Sequence, residues 1–187
     1  MGCLTIIQTP LAGLHVVQTR PVGDQRGSFA RLFCAQELAP LGLPGPIAQI
    51  NHSFTAAQGT VRGLHFQRPP RAEAKLIRCL RGRVLDVAVD LRAGSPTFLK
   101  WHAVELSPES QLAFYLPQGF AHGFQTLTPD CELLYLHTEF YSPEHEGGLR
   151  HDDPALGISW PLPVAELSAR DRAHPFVSQG FVPLEIP

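Results

Sequence analysis

The chain has 187 residues, of which 44% are hydrophobic and 17% are charged, and this balance excludes an intrinsically disordered protein. Its formal net charge of −2 offers no general attraction to nucleic acid or to an anionic membrane surface. No apolar stretch approaches the ~20 residues of a membrane span and the amino terminus lacks a signal-peptide pattern, so we expect a cytoplasmic protein with reduced cysteines. One domain over residues 1–187 fits this length.

The amino-terminal part predicts short extended segments that are separated by turns. The segment Gly23–Gly27 predicts a turn, because glycine at either end readily adopts a positive φ. The cluster of proline and glycine from Pro40 to Pro46 predicts a loop. Strands are expected at residues 4–8, 14–19 and 28–33, and one or two helical turns at residues 35–41.

From Ile47 onward the chain predicts an all-β barrel or sandwich. Short β-prone runs are punctuated by Gly, Pro, Ser and Asp, and there is no room for the helices of a parallel α/β fold. Residues 59–67 are expected to form a glycine turn between two strands. After Trp160 the chain is rich in proline, with one short helix expected at residues 165–172. The predicted strands span residues 47–54, 76–80, 84–91, 101–106, 112–116, 124–127 and 131–141.

The run from Gly59 to Gln67 carries the first candidate site residue. A lone histidine such as His65 is most often a partly buried side chain that hydrogen-bonds a carbonyl group. Here it is accompanied by Arg62 and Lys75, and a neutral imidazole beside cations suits a phosphate-bearing substrate with an acidic C–H bond. We expect His65 to face His122 across a barrel pocket.

His122 belongs to a Pro-x-Gly-x-x-His pattern, Pro117 to His122, which is the second half of the cupin barrel signature. The first half requires His-x-His and a following glutamate as metal ligands, whereas the matching positions read His65-Phe66-Gln67. One imidazole ligand is missing, so we predict no metal site. A metal-dependent cupin enzyme, such as a dioxygenase, is the alternative.

Tyr135 and Tyr141 are six residues apart, which would place both on one face of a strand. They could form an aromatic ladder that packs the barrel, or a phenol in the pocket could deliver a proton to an enolate. By spacing alone, Asp171 is a solvated helix charge, and Asp86 and Asp90 face polar neighbours.

Several motifs in order resemble the dTDP-4-dehydrorhamnose 3,5-epimerase family, whose members use a metal-free, cupin-type jelly-roll barrel. The resemblance covers about residues 23 to 177. Its motifs are Gly23-Asp24-x-Arg26-Gly27, Gln49-x-Asn51, Arg62-Gly63-Leu64-His65-Phe66-Gln67, Lys75-Leu76-Ile77-Arg78, Asp86-Val87-Ala88-Val89-Asp90, Ser95-Pro96-Thr97-Phe98, Pro117-x-Gly119-Phe120-Ala121-His122-Gly123-Phe124, Glu146-Gly147, Asp153-Pro154, Trp160-Pro161 and Leu167-Ser168-Ala169-Arg170-Asp171.

The resemblance implies a role for each matching residue and needs no cofactor. His65 would be the base that removes the proton beside a keto group, and Asp171 would orient its imidazole. Tyr135 would return a proton from the other face, while Lys75 and His122 would stabilise the enolate oxygen. The residues implied to hold a nucleotide-sugar substrate are Arg26, Gln49, Asn51, Arg62, Tyr141, Glu146 and Arg170.

The resemblance further implies a homodimer in which amino-terminal strands pair with the partner's sheet. Arg31 departs from the family, which usually has an acidic residue there that contacts substrate, so the nucleotide identity is left open. Leu136 replaces a common lysine, and His151-Asp152 replaces an aromatic-asparagine pair. Because relatives invert carbon 3, carbon 5 or both, these alternatives stay open, as does a non-catalytic sugar-nucleotide binding protein.

Overall fold

The computed structural model describes residues 2–186 and consists almost entirely of β-strands. Within these residues no helix is both long and apolar enough to cross a membrane. The helical elements are one five-residue α-helix, α1 (Ala169–Ala173), and 3-10 turns at Ala39–Leu41 and Val177–Gln179. The strands are β1 (Leu4–Gln8), β2 (His15–Thr19), β3 (Val22–Asp24), β4 (Gly27–Phe29), β5 (Gln49–Thr55), β6 (Val61–Gln67), β7 (Lys75–Arg81), β8 (Val84–Asp90), β9 (Trp101–Leu106), β10 (Leu112–Leu116), β11 (Phe120–Thr126), β12 (Cys131–His137) and β13 (Glu146–Gly148).

Two antiparallel sheets face each other. One has six strands in the order β1-β2-β10-β7-β12-β5, and the other has five in the order β13-β6-β11-β8-β9. The hairpin of β3 and β4 stands apart from both sheets. The all-β, cupin-type jelly-roll barrel expected from the sequence is therefore confirmed.

The alternation of side chains along each strand divides the apolar residues among three clusters. Inward-facing residues such as Ile77, Phe114 and Phe124 form the core between the sheets. The alternate residues of β8, including Val87 and Val89, pack on the outer face of the five-stranded sheet with residues of the carboxyl-terminal segment. The third cluster covers the outer face of the six-stranded sheet. Strands buried on both faces explain the continuous apolar runs in the sequence.

The carboxyl-terminal segment crosses back over the edge of the five-stranded sheet. Backbone hydrogen bonds join Ala165 to Gly59 (2.9 Å) and Val61 to Glu166 (3.0 Å). Ser168 then caps α1 by accepting a hydrogen bond from the Asp171 backbone at 3.0 Å. This crossing delivers α1 to the side of β6.

Two predictions of local structure, one turn and one strand, were wrong in ways that affect the site. Residues 61–67 form strand β6 and not a turn, so His65 lies inside a sheet. The strand predicted at residues 131–141 ends at His137, which leaves Tyr141 in the following loop. The two tyrosines therefore do not share one strand face.

Gly63 allows β6 to approach β11 closely. Its φ is +120°, and a Cβ atom added there would lie 2.6 Å from the Gly123 Cα and 2.7 Å from the His122 carbonyl oxygen. Because both neighbouring atoms belong to the backbone, neither can move aside without shifting β11. Glycine is therefore required two residues before His65.

We expect Gly63→Ala to lower the free energy of unfolding by about 3 kcal/mol, since the added methyl group combines a backbone clash with an unfavourable φ. Gly27→Ala is the matched control, because Gly27 also has a positive φ (+133°) but nothing lies within 4 Å of its added Cβ. That control should cost about 1 kcal/mol. Urea unfolding measures both, and equal losses would show that the close approach at Gly63 is unimportant.

Candidate active site

A cavity of about 300 Å³ opens at one end of the barrel, between the two sheets. The inward faces of β6 and β11 form one wall, and those of β5, β7 and β12 form the other. The nine predicted site residues that line it are Asn51, Arg62, His65, Lys75, His122, Tyr135, Tyr141, Glu146 and Arg170.

The alternation along each strand explains why these polar side chains meet. On β12, Leu133, Tyr135 and His137 share the inward face, and on β7 Lys75 shares it with Ile77 and Cys79. At one end of these two strands the inward residues are apolar and close the core. At the other end they are polar and line the cavity.

His65 is held by a buried carboxylate from α1. Its Nε2 atom lies 2.7 Å from Asp171 Oδ1, while the Gly63 backbone N–H donates to Asp171 Oδ2 at 3.1 Å. Asp171 is only 2% exposed, so it is a buried partner of His65 and not the solvated helix charge that its spacing suggested. The crossing of the carboxyl-terminal segment over β6 and the cap of α1 by Ser168 position Asp171 beside His65.

The contacts of Asp171 determine which nitrogen of His65 is available to substrate. Burial opposes the charge of this carboxylate, but the hydrogen bonds from His65 and Gly63 outweigh burial and lower its pKa to about 2. An ionised carboxylate accepts hydrogen bonds, so in neutral His65 the hydrogen is on Nε2 and the lone pair is on Nδ1. Arg170 Nη2 lies 3.2 Å from the same Nε2, but a guanidinium group only donates and so cannot hydrogen-bond a protonated Nε2; the shorter contact with Asp171 determines the tautomer.

His122 is also paired with a buried carboxylate. Its Nε2 lies 2.9 Å from Asp86 Oδ1, and Asp86 is fully buried, which raises the pKa of that carboxyl group against the opposing effect of His122. His122 and His65 are register partners on adjacent strands. They are therefore side by side in one wall, and the expectation that they face each other across the pocket was wrong.

Tyr135 lies in the wall opposite His65, on β12. Its hydroxyl group is 3.0 Å from Ser53 Oγ, and its ring meets the edge of His122 with a centroid separation of 6.1 Å. Burial raises the pKa of this phenol, with the hydrogen bond to Ser53 acting in the other direction. The hydroxyl therefore keeps its proton over the working pH range and can act as a donor.

A network of charged and polar groups forms the mouth of the cavity. Arg170 Nη1 contacts both carboxylate oxygens of Glu146 at 3.1 and 3.0 Å, and the Tyr141 hydroxyl donates to Glu146 at 2.9 Å. Gln49 does not line the cavity, but its side-chain oxygen accepts a hydrogen bond from the Tyr141 backbone. Gln67 accepts one from the Ser142 backbone at 2.6 Å. These two glutamines fix the loop that carries Tyr141.

Arg26 is the one predicted site residue that the structure leaves well outside the cavity. It lies in the turn between β3 and β4, with its side chain 84% exposed and bonded to Asp24. Arg31, at a usually acidic position, pairs with Glu37. Leu136 belongs to the cluster on the outer face of the six-stranded sheet, so the missing lysine does not alter the cavity wall.

The site residues that the sequence did not identify include Ser53, Glu73, Asp86 and His137. Three of them line the cavity, and Asp86 supports His122 from behind. The signal for His137 was its spacing of two from Tyr135, which puts both on one strand face. For Glu73, which precedes β7, no local pattern indicated its direction.

Within residues 2–186, one group of side chains has the spacing of metal ligands. His65, Asp171 and His174 each offer one potential ligand atom, and these three atoms lie within 4.8 Å of one another. His65 and Asp171 already bond each other, and the Arg170 guanidinium group next to them would repel a cation. The donor geometry favours proton transfer at His65 over ligation.

Comparison with known proteins agrees with this geometry. The family model described as dTDP-4-dehydrorhamnose 3,5-epimerase matches residues 8–179. The chain belongs to the dTDP-4-dehydrorhamnose 3,5-epimerase family. A family member from Sinorhizobium fredii is 46% identical over 170 residues, which cover 88% of this chain and 85% of the relative.

Solved structures of the family share the same fold. The Legionella pneumophila epimerase, crystallised with dTDP-4-keto-L-rhamnose, superposes with a TM-score of 0.90 at 39% identity over 95% of each chain. ChmJ from Streptomyces bikiniensis, a 3′-monoepimerase in complex with dTDP-quinovose, gives a TM-score of 0.85 at 35% identity, covering 92% of this chain and 87% of ChmJ. The family therefore includes enzymes of different regiochemistry on one barrel.

We expect Asp171→Asn to lose about 2 kcal/mol of stability at pH 7, because the carboxylate has a lowered pKa in the folded state. This stabilisation is complete above the unfolded pKa near 3.8 and is lost as the pH falls through about 2. The difference from wild type should therefore vanish between pH 4 and pH 2. Urea unfolding across this range is the measurement.

Asp152→Asn is the control for this comparison, since Asp152 is exposed and its ion pair with Arg150 lies at the surface. We expect that variant to lose well under 1 kcal/mol. A loss in Asp171→Asn that does not change between pH 7 and pH 2 would contradict the assigned charge state of Asp171.

Proposed function

We propose that this protein is a sugar-nucleotide epimerase that inverts carbon 3, carbon 5 or both of a dTDP-4-keto-6-deoxyhexose in deoxysugar biosynthesis. One observation carries the proposal: a histidine with a free lone pair and a protonated phenol line opposite walls of one cavity in a member of this epimerase family. An inversion through an enolate needs a base on one face of the ring and an acid on the other.

In the proposed mechanism, His65 Nδ1 removes the proton from a carbon next to the 4-keto group. The C–H electron pair forms the enolate double bond, and the carbonyl pair moves to the oxygen. Tyr135 then donates its hydroxyl proton to the same carbon from the opposite face; the pair that formed the double bond makes the new C–H bond, and the oxygen pair re-forms the carbonyl group. Proton exchange with solvent returns His65 to its neutral form and Tyr135 to its phenol.

The enolate oxygen needs positive charge, and the cavity offers two donors. Lys75 supplies an ammonium group from β7, and His122 supplies an imidazole from β11 whose Nε2 is held by Asp86. Both lie in a partly buried site, where a charge interacts more strongly than in water. No nicotinamide or metal is required for this step.

In this proposal the nucleotide part of the substrate lies beside the cavity. A neighbouring cleft of about 790 Å³ shares Arg62, His65 and Arg170 with it. The two arginines at the junction suit a diphosphate, because guanidinium groups bind phosphate oxygens in pairs. Asn51, Tyr141 and Glu146 complete the proposed substrate-holding set.

A homodimer would account for the position of Arg26. The β3–β4 hairpin exposes Val22 and Phe29, and β5, an edge strand beside the cavity, exposes Ile50 and Phe54. Pairing the amino-terminal strands with the partner's sheet would cover these apolar side chains and carry Arg26 towards the partner's cavity. We further propose that residues 1–187 act as one catalytic domain in the cytoplasm.

The proposed reaction predicts that the enzyme exchanges solvent deuterium into carbon 3, carbon 5 or both of a dTDP-4-keto-6-deoxyhexose. Mass spectrometry and proton NMR identify the exchanging carbons and thus the regiochemistry. A protein that binds the nucleotide sugar without exchanging any proton would be a binding module instead.

Substitutions of the two proposed proton-transfer residues should affect proton exchange and inversion differently. We expect His65→Ala to lose exchange and inversion by roughly 10³-fold while still binding dTDP, because the base is gone. We expect Tyr135→Phe to retain exchange but lose inversion, because His65 can return the proton only to the face from which it came. Equal loss of exchange in both variants would refute the separate roles.

The proposed dimer predicts that Ile50→Glu converts the protein to a monomer, since a charge on the covered edge strand would be buried without a partner. Val182→Glu is the control, because Val182 is equally exposed (66% against 64%) but lies far along the chain from the hairpin and from β5. Sedimentation equilibrium measures the mass. A wild-type monomer, or a dimer unaffected by Ile50→Glu, would refute the proposal.

A further inference from the structure

Glu73 is shared between two basic side chains inside the cavity. Its Oε1 lies 2.9 Å from Lys75 Nζ, and its Oε2 lies 2.7 Å from His137 Nδ1. All three side chains line the cavity and are largely buried, with exposed fractions of 9%, 10% and 14% for Glu73, Lys75 and His137. Each oxygen of the buried Glu73 carboxylate thus has its own basic partner, so the three side chains form a defined triad.

The backbone fixes this triad as well as the side chains do. Lys75 and His137 are register partners on β7 and β12. Just beyond them, the Ala74 backbone N–H donates to Thr138 Oγ1 at 2.9 Å and the Thr138 N–H donates to the Ala74 carbonyl at 3.1 Å. Glu73 and His137 therefore cannot separate without breaking the end of the ladder.

Charged groups from both sheets surround Lys75. Glu73 lies beside it, and His137 and Tyr135 stack on β12 with ring centroids 6.1 Å apart. From the opposite wall, Asp86 interacts with the Lys75 charge through space and hydrogen-bonds His122. Glu73 is the carboxylate in direct contact with the ammonium group.

The charge state of Glu73 agrees with this geometry. Burial pushes the pKa of Glu73 up, but the charge of Lys75 and the hydrogen bond and charge of His137 outweigh burial and bring the pKa down to about 2. Glu73 is therefore an anion throughout the pH range in which a neutral His65 can act.

We propose that Glu73 and His137 are positioning residues: Glu73 keeps the Lys75 ammonium group charged and fixed in the cavity, and His137 holds Glu73 in place. The part of this inference that concerns catalysis rests on the proposed function, in which Lys75 stabilises the enolate. The physical reason is that a largely buried ammonium group without a counter-ion tends to lose its proton. Neutral lysine could not stabilise an oxyanion.

The composition of the chain provides a direct test that needs no substrate. Lys75 and Lys100 are its two lysines, so ¹³Cε-lysine labelling gives two NMR signals, with the exposed Lys100 as an internal reference. We expect Glu73→Gln, which keeps the size of the side chain, to lower the titration midpoint of Lys75 by at least one pH unit and leave Lys100 unchanged. An unchanged Lys75 midpoint would overturn the inference.

Two variants at residue 137 separate the hydrogen bond from the ring. His137→Asn can still donate to Glu73 but lacks the ring, whereas His137→Phe keeps a ring against Tyr135 and lacks the donor. We expect His137→Phe to lower the titration midpoint of Lys75 further than His137→Asn does. We also expect it to reduce kcat at least fivefold more than His137→Asn does. The reverse order would mean that His137 acts only by packing.

The pH profile of exchange links the triad to catalysis. In Glu73→Gln the alkaline limb of the kcat–pH profile should move to lower pH together with the titration midpoint of Lys75. In the double variant Glu73→Gln/Lys75→Arg the alkaline limb should not move, because arginine stays charged. If the NMR midpoint moves but the alkaline limb does not, the positioning of Lys75 holds and its proposed role at the enolate fails. A limb that moves without the NMR midpoint refutes the positioning role.

Discussion

The contact between His65 and Asp171 is the interaction on which the rest of the site depends. It joins a strand in the middle of the chain to a short helix near its end, over 106 positions. It forms because Gly63 lets β6 approach β11, and because the carboxyl-terminal segment crosses the edge of β6 before it enters α1. The carboxylate it buries is matched by donors, which is the condition for burying a charge at modest cost.

The alternation of side chains along the strands brings the reactive groups together in one cavity with two walls. On β7 and β12 the inward residues are apolar at one end and polar at the other, so one barrel supplies both a dry core and a reactive end. The five-stranded sheet brings imidazoles with buried carboxylates, and the six-stranded sheet brings an ammonium group and a phenol. Groups with different protonation states thus lie on opposite sides of the same space, as the proposed inversion requires.

Charge in the cavity is balanced locally. Asp171 faces His65, Asp86 faces His122, Glu73 faces Lys75, and Glu146 faces Arg170. These four basic groups therefore each have their own carboxylate, which supports their orientation in a partly buried site. Arg62 contacts a backbone carbonyl instead, at 3.1 Å, and so keeps its charge for the proposed diphosphate.

The sequence alone determined the fold class, most strand positions and nine residues of the cavity, because strand periodicity and turn residues are local signals and because the family motifs are specific. It did not reveal β6, since the glycines of residues 59–67 are typical of a turn and only the contact with β11 explains Gly63. It also did not reveal Glu73, Asp86 or His137 as supporting groups. Which carboxylate meets which base depends on the pairing of strands distant in sequence, and only the tertiary structure decides that pairing.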